Sequence, residues 1–277
     1  MLLGTMAVVS CGVGVLTCVL SDSFDSLAWL WVLPATFIGS FLLLALLAFL
    51  FVWFVCSRVD TSREQTEDDP FFRRLTGLYI EALIPVLGVR VHTAGLEKVP
   101  VSGRFMLVCN HLHMADPAVL LHVFRKHQLA FISKKENNDM FLVGKLLHKL
   151  LCQPIDREND REALKTILKC IRILQEDKAS VAVFPEGYTS RDHKLHHFRS
   201  GVFKIAQKAK VPVVVCTMTN THNFMKNLTR LKSTHVDLHV VQVIQPEEFA
   251  GMTTVALGER IYELMAADLG AEYAENT

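Results

Sequence analysis

The segment Asn110-His111-Leu112-His113-Met114-Ala115-Asp116 lies between two patterns that together define an α/β fold. The run Phe105-Met106-Leu107-Val108-Cys109 before it is apolar throughout, as in a strand buried on both faces. Pro117 and the apolar stretch 118–121 after it favour a helix, because Pro is preferred in the first helical turn. The segment is therefore predicted to be a short loop between a buried strand and a helix.

His111 and Asp116 are the candidate catalytic residues of this loop. A short loop can bring the Asp116 carboxylate to one nitrogen of His111, which leaves the other nitrogen free to accept a proton. Such a pair needs no serine or cysteine beside it if the substrate supplies the hydroxyl group. Asp before Pro is also a common helix N-cap, so a purely structural role for Asp116 stays open at this point.

A second motif, Phe184-Pro185-Glu186-Gly187, supports a functional interpretation of the first. It follows another apolar run, at residues 180–183, that also has the pattern of a buried strand. Ionisable residues directly after two strands are typical of a site at one edge of an α/β sheet.

Apolar runs alternate with helical patterns from residue 90 onward. This alternation predicts one α/β domain, with a largely parallel sheet flanked by helices. The predicted strands are 89–92, 105–109, 129–133, 154–156, 180–184, 211–218 and 235–243. The predicted helices are 117–126, 140–152, 161–175, 200–209 and 254–267.

The N-terminal part of the chain is predicted to be a transmembrane helical hairpin over residues 1–56. Met1–Leu20 and Leu27–Cys56 contain no charged residue, and each reaches the ~20 apolar residues that a spanning helix needs. Several arginines follow the second segment, which places both ends of the hairpin and the following domain in the cytoplasm. These arginines are Arg58, Arg63, Arg73 and Arg74. A cleaved signal peptide is the alternative for the first segment, but no basic residue precedes it.

Residues 57–89 are predicted to connect the hairpin to the α/β domain at 90–277. The stretch 57–70 is polar, as in a linker, whereas 71–89 mixes apolar residues with Arg73, Arg74 and Glu81. The second stretch therefore predicts either an amphipathic helix at the membrane interface or a helix packed on the domain.

Charge and cysteine content exclude several classes of function. The formal net charge is +1 and no basic stripe with interleaved aromatic residues occurs, so no nucleic-acid partner is expected. The seven cysteines are an odd number without a C-x-x-C pair, which argues against a disulfide framework and a zinc ribbon. A reducing compartment agrees with this pattern.

Four sequence blocks, in order, make the chain resemble the glycerolipid acyltransferases, most closely the 1-acylglycerol-3-phosphate (lysophosphatidate) acyltransferases. The blocks span residues 110–213. They are Asn110-His111 with Asp116; Ser133-Lys134-Lys135-Glu136 through Gly144 to Pro154-Ile155-Asp156-Arg157; Phe184-Pro185-Glu186-Gly187 through Ser190-Arg191-Asp192 and Lys194-Leu195 to Phe198-Arg199 and Gly201; and Val211-Pro212-Val213.

The resemblance implies acyl transfer from an acyl thioester to the sn-2 hydroxyl of lysophosphatidic acid, which gives phosphatidic acid in phospholipid biosynthesis. His111 would deprotonate the hydroxyl, and Asp116 would orient and stabilise the imidazole, without a covalent acyl-enzyme. No cofactor is implied beyond the donor, which is acyl-carrier protein or coenzyme A carrying the acyl chain. The acceptor and the bilayer are the remaining partners.

The resemblance also implies the substrate-binding residues. Arg157 is expected to bind the acceptor phosphate, with an ion pair to Asp156 or Glu158 as the alternative. Glu186 is expected to hydrogen-bond a hydroxyl group or orient a cation, since a carboxylate does not bind phosphate directly. The full expected set is Asn110, Lys134, Lys135, Arg157, Glu186, Gly187 and Arg191.

Two positions depart from the family pattern. Thr189 stands where the third block commonly has Arg, and Arg191 or Lys194 would have to compensate for the lost charge. His193 stands where Gly is common. The first departure leaves open another lysolipid, or glycerol 3-phosphate, as the acceptor.

Two other classes of function remain as alternatives. His111, His113 and Asp116, with histidines at 193, 196 and 197, superficially resemble a metal-ligand cluster, as in a metal-dependent hydrolase. An inactive membrane-bound scaffold is the second alternative, against which the intact His111, Asp116 and Glu186 argue.

Overall fold

The computed structural model describes residues 1–270 and 273. The chain divides into two compact units, Met1–Ser62 and Arg63–Thr277.

The first unit consists of two helices, α1 (Leu2–Leu20) and α2 (Trp29–Ser57), that pack against each other. Their contact is close at Gly14, where an added Cβ would lie 3.3 Å from the Thr36 hydroxyl oxygen. A small residue at this point lets the two helix backbones approach.

Both helices of the first unit are long and apolar enough to cross a membrane. Helix α2 has 29 residues and measures about 44 Å, which exceeds a hydrocarbon core of ~30 Å. Large apolar side chains project outward from it, among them Leu42 and Phe54 with 61% and 55% of their surface exposed. An apolar surface of this kind is stable in lipid and costly in water.

The second unit is built on one seven-stranded sheet. The strands are β1 (Val89–Ala94), β2 (Met106–Cys109), β3 (Leu129–Lys134), β4 (Gln153–Ile155), β5 (Ser180–Val183), β6 (Val213–Thr219) and β7 (Thr234–Ile244). The helices are α3 (Pro70–Val86), α4 (Asp116–Val123), α5 (Phe141–Lys149), α6 (Asp160–Gln175), α7 (Lys204–Ala209), α8 (Phe224–Thr229) and α9 (Thr254–Leu269).

The strands are arranged in the order β1-β7-β6-β2-β5-β3-β4. All neighbouring pairs are parallel except β6 and β7, which run antiparallel. The sheet is therefore mixed but largely parallel, which confirms the predicted fold class. Strand β2 lies between β6 and β5, so the loop after β2 leaves the middle of the sheet.

Helices cover both faces of the sheet, which explains the continuous apolar runs in the central strands. Every residue of β2 and β5 is buried. Helices α6, α7 and α9 pack on one face through residues such as Cys170, Ile205 and Ile261. Helices α4 and α5 pack on the other face, where Leu120 and Leu147 join the core.

Helix α3 packs along one of its faces against the rest of the second unit. Asp69 is the N-cap of the helix. Its carboxylate accepts hydrogen bonds from the main-chain N–H groups of Phe71 and Phe72. Arg73 binds Asp68 at 2.6 Å and donates to the carbonyl oxygen of Leu129 at 2.7 Å. Phe72 is buried beside it, whereas Phe71 is about half exposed.

All seven predicted strands are present, and each predicted helix is found near its expected position. The largest difference lies in the predicted helix 200–209, where Ser200–Phe203 forms a 3-10 turn before α7 begins. Helix α8 was not predicted, because six residues are too few to show a helical period.

Candidate active site

The two sequence motifs meet at the carboxyl edge of the sheet. Strands β5 and β6 flank β2 and run parallel to it, so the loops that follow these three strands leave from the same edge. The loop after β2 carries His111, the loop after β5 carries Glu186, and a 3-10 turn at Thr221–Asn223 follows β6.

His111 and Asp116 form the predicted pair. The Nδ1 atom of His111 lies 2.8 Å from Oδ2 of Asp116. Asp116 is fully buried, whereas the His111 side chain keeps 16% of its surface exposed. A carboxylate at Nδ1 fixes the tautomer with the proton on that nitrogen, so Nε2 carries the free lone pair that accepts a proton.

Asp116 also stabilises the conformation of the loop at residues 110–116, here named the catalytic loop. Its Oδ2 atom accepts hydrogen bonds from the main-chain N–H groups of Leu112 and His113, at 2.7 and 2.9 Å. Asp116 therefore has the structural role that the sequence left open, in addition to its contact with His111. The same contacts satisfy two main-chain N–H groups of the loop.

The ring of His111 is fixed by the loop after β5. It stacks on the ring of Phe184, with centroids 4.2 Å apart and an interplanar angle of 20°. The main-chain N–H of Ser190 donates to the carbonyl oxygen of His111 at 2.8 Å. Stacking on one side and Asp116 on the other leave the ring one orientation.

The Glu186 carboxylate, which was expected to hydrogen-bond a hydroxyl group or orient a cation, binds main-chain N–H groups in this structure. Its side chain is 1% exposed, and its two carboxylate oxygens accept hydrogen bonds from the main-chain N–H groups of His111 and His196, at 3.0 and 3.1 Å. Burial raises the pKa of Glu186 to about 7, against the opposing effect of these two hydrogen bonds. Glu186 thus ties two loops together beneath the site.

Gly187 allows an arginine to lie against the turn. Its φ of +81° is unfavourable for other residues, and an added Cβ would lie 2.8 Å from Nε of Arg199. The main-chain N–H of Arg199 also donates to the carbonyl oxygen of Pro185, at 2.8 Å. The Arg199 side chain is therefore held over the Pro-Glu-Gly turn.

Arg157 joins Arg199 to form a cationic region. Burial lowers the pKa of Arg157, and the charge of Arg199 lowers it further, whereas Glu136 acts in the opposite direction. Two guanidinium groups that act on each other in this way favour an anion between them. Arg199 was not among the predicted binding residues, although the Phe198-Arg199 segment of the third block contained the signal.

The remaining predicted binding residues lie in other surroundings. Lys134 and Lys135 are exposed and pair with Glu136 and Asp156, at 3.1 and 3.4 Å. Asp156 thus pairs with Lys135, whereas an ion pair of Asp156 with Arg157 was the alternative to phosphate binding by Arg157. The side chain of Arg191 is exposed to solvent.

Asn110 has a structural contact in place of the expected contact with substrate. Its side-chain Nδ2 donates to the carbonyl oxygen of Met218, and its Oδ1 accepts from the N–H of the same residue, both at 2.8 Å. The side chain is 1% exposed. These contacts fix the end of β2 to β6, and so fix the start of the catalytic loop.

The histidines of the site do not assemble into a ligand set. Within residues 1–270 and 273, no three or more His, Cys, Asp or Glu side chains are grouped so that they could hold a metal ion. His196 is engaged with Asp192 through Nε2 at 2.8 Å. Among the described residues, His111 is thus not part of a metal-binding cluster of the kind that a metal-dependent hydrolase uses.

A histidine–carboxylate pair at the carboxyl edge of a mixed α/β sheet has the arrangement of a general base that can activate a hydroxyl group or water. Residues 90–219 match the family model described as Acyltransferase. This range contains His111, Asp116, Arg157, Glu186 and Arg199. Residues 90–219 of the chain are thus similar to the acyltransferase family.

Curated relatives carry the names of glycerolipid enzymes. A protein of Mycoplasma pneumoniae named probable 1-acyl-sn-glycerol-3-phosphate acyltransferase is 31% identical, over 59% of this chain and 60% of that protein. The 1-acyl-sn-glycerol-3-phosphate acyltransferase of Borreliella burgdorferi is 26% identical, over 62% of this chain and 70% of that protein. The chain thus spans less than two thirds of the first of these relatives.

A solved structure shares the fold. The crystal structure of PlsC, the 1-acyl-sn-glycerophosphate (LPA) acyltransferase of Thermotoga maritima, superposes with a TM-score of 0.60 at 20% identity. The match covers 82% of this chain and 89% of that chain. At this identity the likeness establishes the architecture alone.

Proposed function

We propose that this chain transfers an acyl group from an acyl thioester to the sn-2 hydroxyl of lysophosphatidic acid and thereby forms phosphatidic acid. The observation that supports this most strongly is the His111–Asp116 pair at 2.8 Å, held inside the region that is similar to the acyltransferase family. The names of the relatives supply the acceptor.

The chemistry follows from the geometry of the pair. Nε2 of His111 takes the proton of the acceptor hydroxyl while its oxygen attacks the thioester carbonyl carbon. Asp116 stabilises the imidazolium that forms, and the thiolate that leaves takes the proton. Base catalysis of this kind contributes ~10²–10⁴-fold to the rate, and the fixed ring orientation adds to it.

Arg157 and Arg199 would bind the acceptor phosphate. The side chain of Arg199 lies over Gly187, and its main-chain N–H is anchored to the carbonyl oxygen of Pro185. Thr189, which stands where Arg is common, is exposed, so the cationic pair supplies the charge that this position lacks. Phosphate recognition is therefore compatible with the departure at Thr189, and Arg191 is not needed for it.

The membrane location is part of the proposal. Helices α1 and α2 would anchor the enzyme in the bilayer that contains its acceptor, with the catalytic domain on the cytoplasmic side. The exposed Arg58 and Arg74 support this orientation. A reporter enzyme that is active only outside the cytoplasm, fused after residue 277, should be inactive; an active fusion would contradict the orientation.

The acceptor is tested by product analysis with the full chain in phospholipid vesicles. A radiolabelled acyl thioester should give phosphatidic acid with lysophosphatidic acid, and much less product with monoacylglycerol or glycerol 3-phosphate. The donor is offered on coenzyme A and on acyl-carrier protein in parallel, which identifies the carrier. Faster acylation of another lysolipid would overturn the proposed acceptor.

The phosphate site is tested with arginine variants in the same assay. Arg157→Gln and Arg199→Gln should each raise KM for lysophosphatidic acid, because each removes a charge-assisted hydrogen-bond donor. Arg191→Gln is the matched control, since Arg191 is an exposed arginine of the same loop as Arg199. An equal effect of all three variants would contradict the proposed phosphate site.

A further inference from the structure

Two histidines outside the catalytic pair meet across the catalytic loop. His193 belongs to the loop after β5, and His222 belongs to the 3-10 turn after β6. Strand β2, whose following loop carries His111 and Asp116, lies between these two strands in the sheet. The backbone of His193 adopts a φ of +64°, a left-handed conformation that is rare for a residue with a side chain.

The two imidazole rings are stacked. Their centroids are 4.0 Å apart and their planes differ by 19°. Nε2 of His222 accepts a hydrogen bond from the side-chain Nδ2 of Asn223 at 3.0 Å, which places the proton of the neutral ring on Nδ1. This contact orients the His222 ring from its own turn, and the stack then fixes His193 above it.

Both rings of the pair, like Asp116, have one buried polar atom without a hydrogen-bond partner. The Nδ1 atoms of His193 and His222 are buried and have no hydrogen-bond partner, and the same is true of Oδ1 of Asp116. Burial lowers the pKa of His222, and the charge of His193 lowers it further. Asp116 acts on His222 in the opposite direction, whereas His113 and Lys226 act in the same direction as His193.

The stack does not form a metal site. Lone pairs on nearly parallel rings point along parallel lines, and so they do not converge on one ion at the ~2.0–2.1 Å that zinc requires. Stacked imidazoles instead favour a state in which at most one of the two rings is a charged imidazolium, because two imidazolium rings at this distance repel.

We propose that His193 and His222 form a clasp that holds the loop after β5 across the catalytic loop and keeps Asp116 buried and in place beneath His111. Both histidines are then positioning residues for the transfer reaction. The clasp closes when at least one ring is neutral and opens when both are protonated. The kinetic consequence rests on the proposed acyl transfer, whereas the structural consequence does not.

Three variants of the full-length enzyme in vesicles test the clasp. His193→Gly removes the ring at a backbone angle that glycine adopts without strain. His193→Phe keeps a ring that can stack but cannot be protonated. His197→Phe is the matched control, because His197 lies in the same loop and stacks on Tyr262 instead.

The kinetic readout is the pH dependence of kcat/KM. His193→Gly should lower kcat by ~10- to 100-fold at neutral pH, the scale of a misplaced catalytic group, with little change in KM. In the wild type, the logarithm of kcat/KM should fall with a slope that steepens from one toward two as the pH is lowered. The steep part should disappear in His193→Phe and persist in His197→Phe.

The structural readout is hydrogen–deuterium exchange of the main chain over residues 187–198. In the wild type this segment should exchange faster as the pH falls, after correction for the intrinsic rate. His193→Gly should exchange fast at every pH, and His193→Phe should stay protected. Wild-type kinetics in His193→Gly, or an unchanged slope in His193→Phe, would overturn the clasp, as would equal exchange in all variants. A wild type without transfer activity would refute the proposed function, and the exchange experiment would still decide the clasp.

Discussion

Glu186→Gln separates two effects of this carboxylate on stability. One is the cost of its buried charge, and the other is the gain from its two main-chain hydrogen bonds. The variant removes a titratable group that is 1% exposed and whose pKa is raised to about 7 from 4.5. Between these two values the native protein binds a proton at Glu186 that the unfolded chain does not bind. The stability contributed by this group therefore falls as the pH rises through that window.

The size of this effect follows from the shift. Each pKa unit corresponds to about 1.4 kcal/mol, so the buried charge of Glu186 costs about 3 kcal/mol once the pH exceeds 7. The variant avoids this cost. In return, the amide group of Gln presents a donor to one of the two main-chain N–H groups, at His111 or His196, and leaves it without an acceptor. An unsatisfied buried donor costs about 1–3 kcal/mol.

The assay is thermal unfolding of the full chain in detergent micelles at pH 5 and pH 8. At pH 5 Glu186→Gln should be less stable than the wild type, and at pH 8 the difference should shrink or reverse. The relative change of about 3 kcal/mol corresponds to a Tm shift of about 6–12 °C. Glu247→Gln, at an exposed glutamate, is the control. A constant difference in Tm between Glu186→Gln and the wild type at both pH values would refute this reasoning.

Three further predictions concern the surrounding residues. Asp116→Asn should lower kcat on the order of 10²–10⁴-fold without preventing folding, because an amide does not stabilise the imidazolium; a variant with wild-type kcat would contradict this role. Gly187→Ala should raise KM for lysophosphatidic acid by displacing Arg199, whereas Gly103→Ala, at a similar φ of +80° with open space around it, should leave KM unchanged. Asn110→Ala should lower the free energy of unfolding by about 1–3 kcal/mol for each β6 main-chain group left unsatisfied, measured by thermal unfolding; an unchanged Tm would contradict this.

The fold could be predicted because its strands follow simple rules. Strands covered on both faces, such as 106–109 and 180–183, are continuous apolar runs, and helices with a 3.6-residue period separate them. The antiparallel pairing of β6 with β7 could not be predicted, since it depends on the path of the chain after Thr219 and not on the residues of either strand.

The contact between His111 and Asp116 was predictable because the two residues are close in sequence. His111 and Asp116 belong to one short loop, so chain connectivity alone brings them together. Glu186 and Asn110 were assigned to substrate binding through the family resemblance, and only the structure shows their main-chain partners. Arg199 was missed because its contact with Gly187 depends on how the loop after β5 folds back.

We propose His111 as the base of an acyl transfer to lysophosphatidic acid. The measurement of thiol release tests this role. Release from an acyl thioester is followed with and without the acceptor, for the wild type and for His111→Ala. Release is expected only when both the acceptor and His111 are present. Release by His111→Ala at the wild-type rate, or release by the wild type without acceptor, would contradict it.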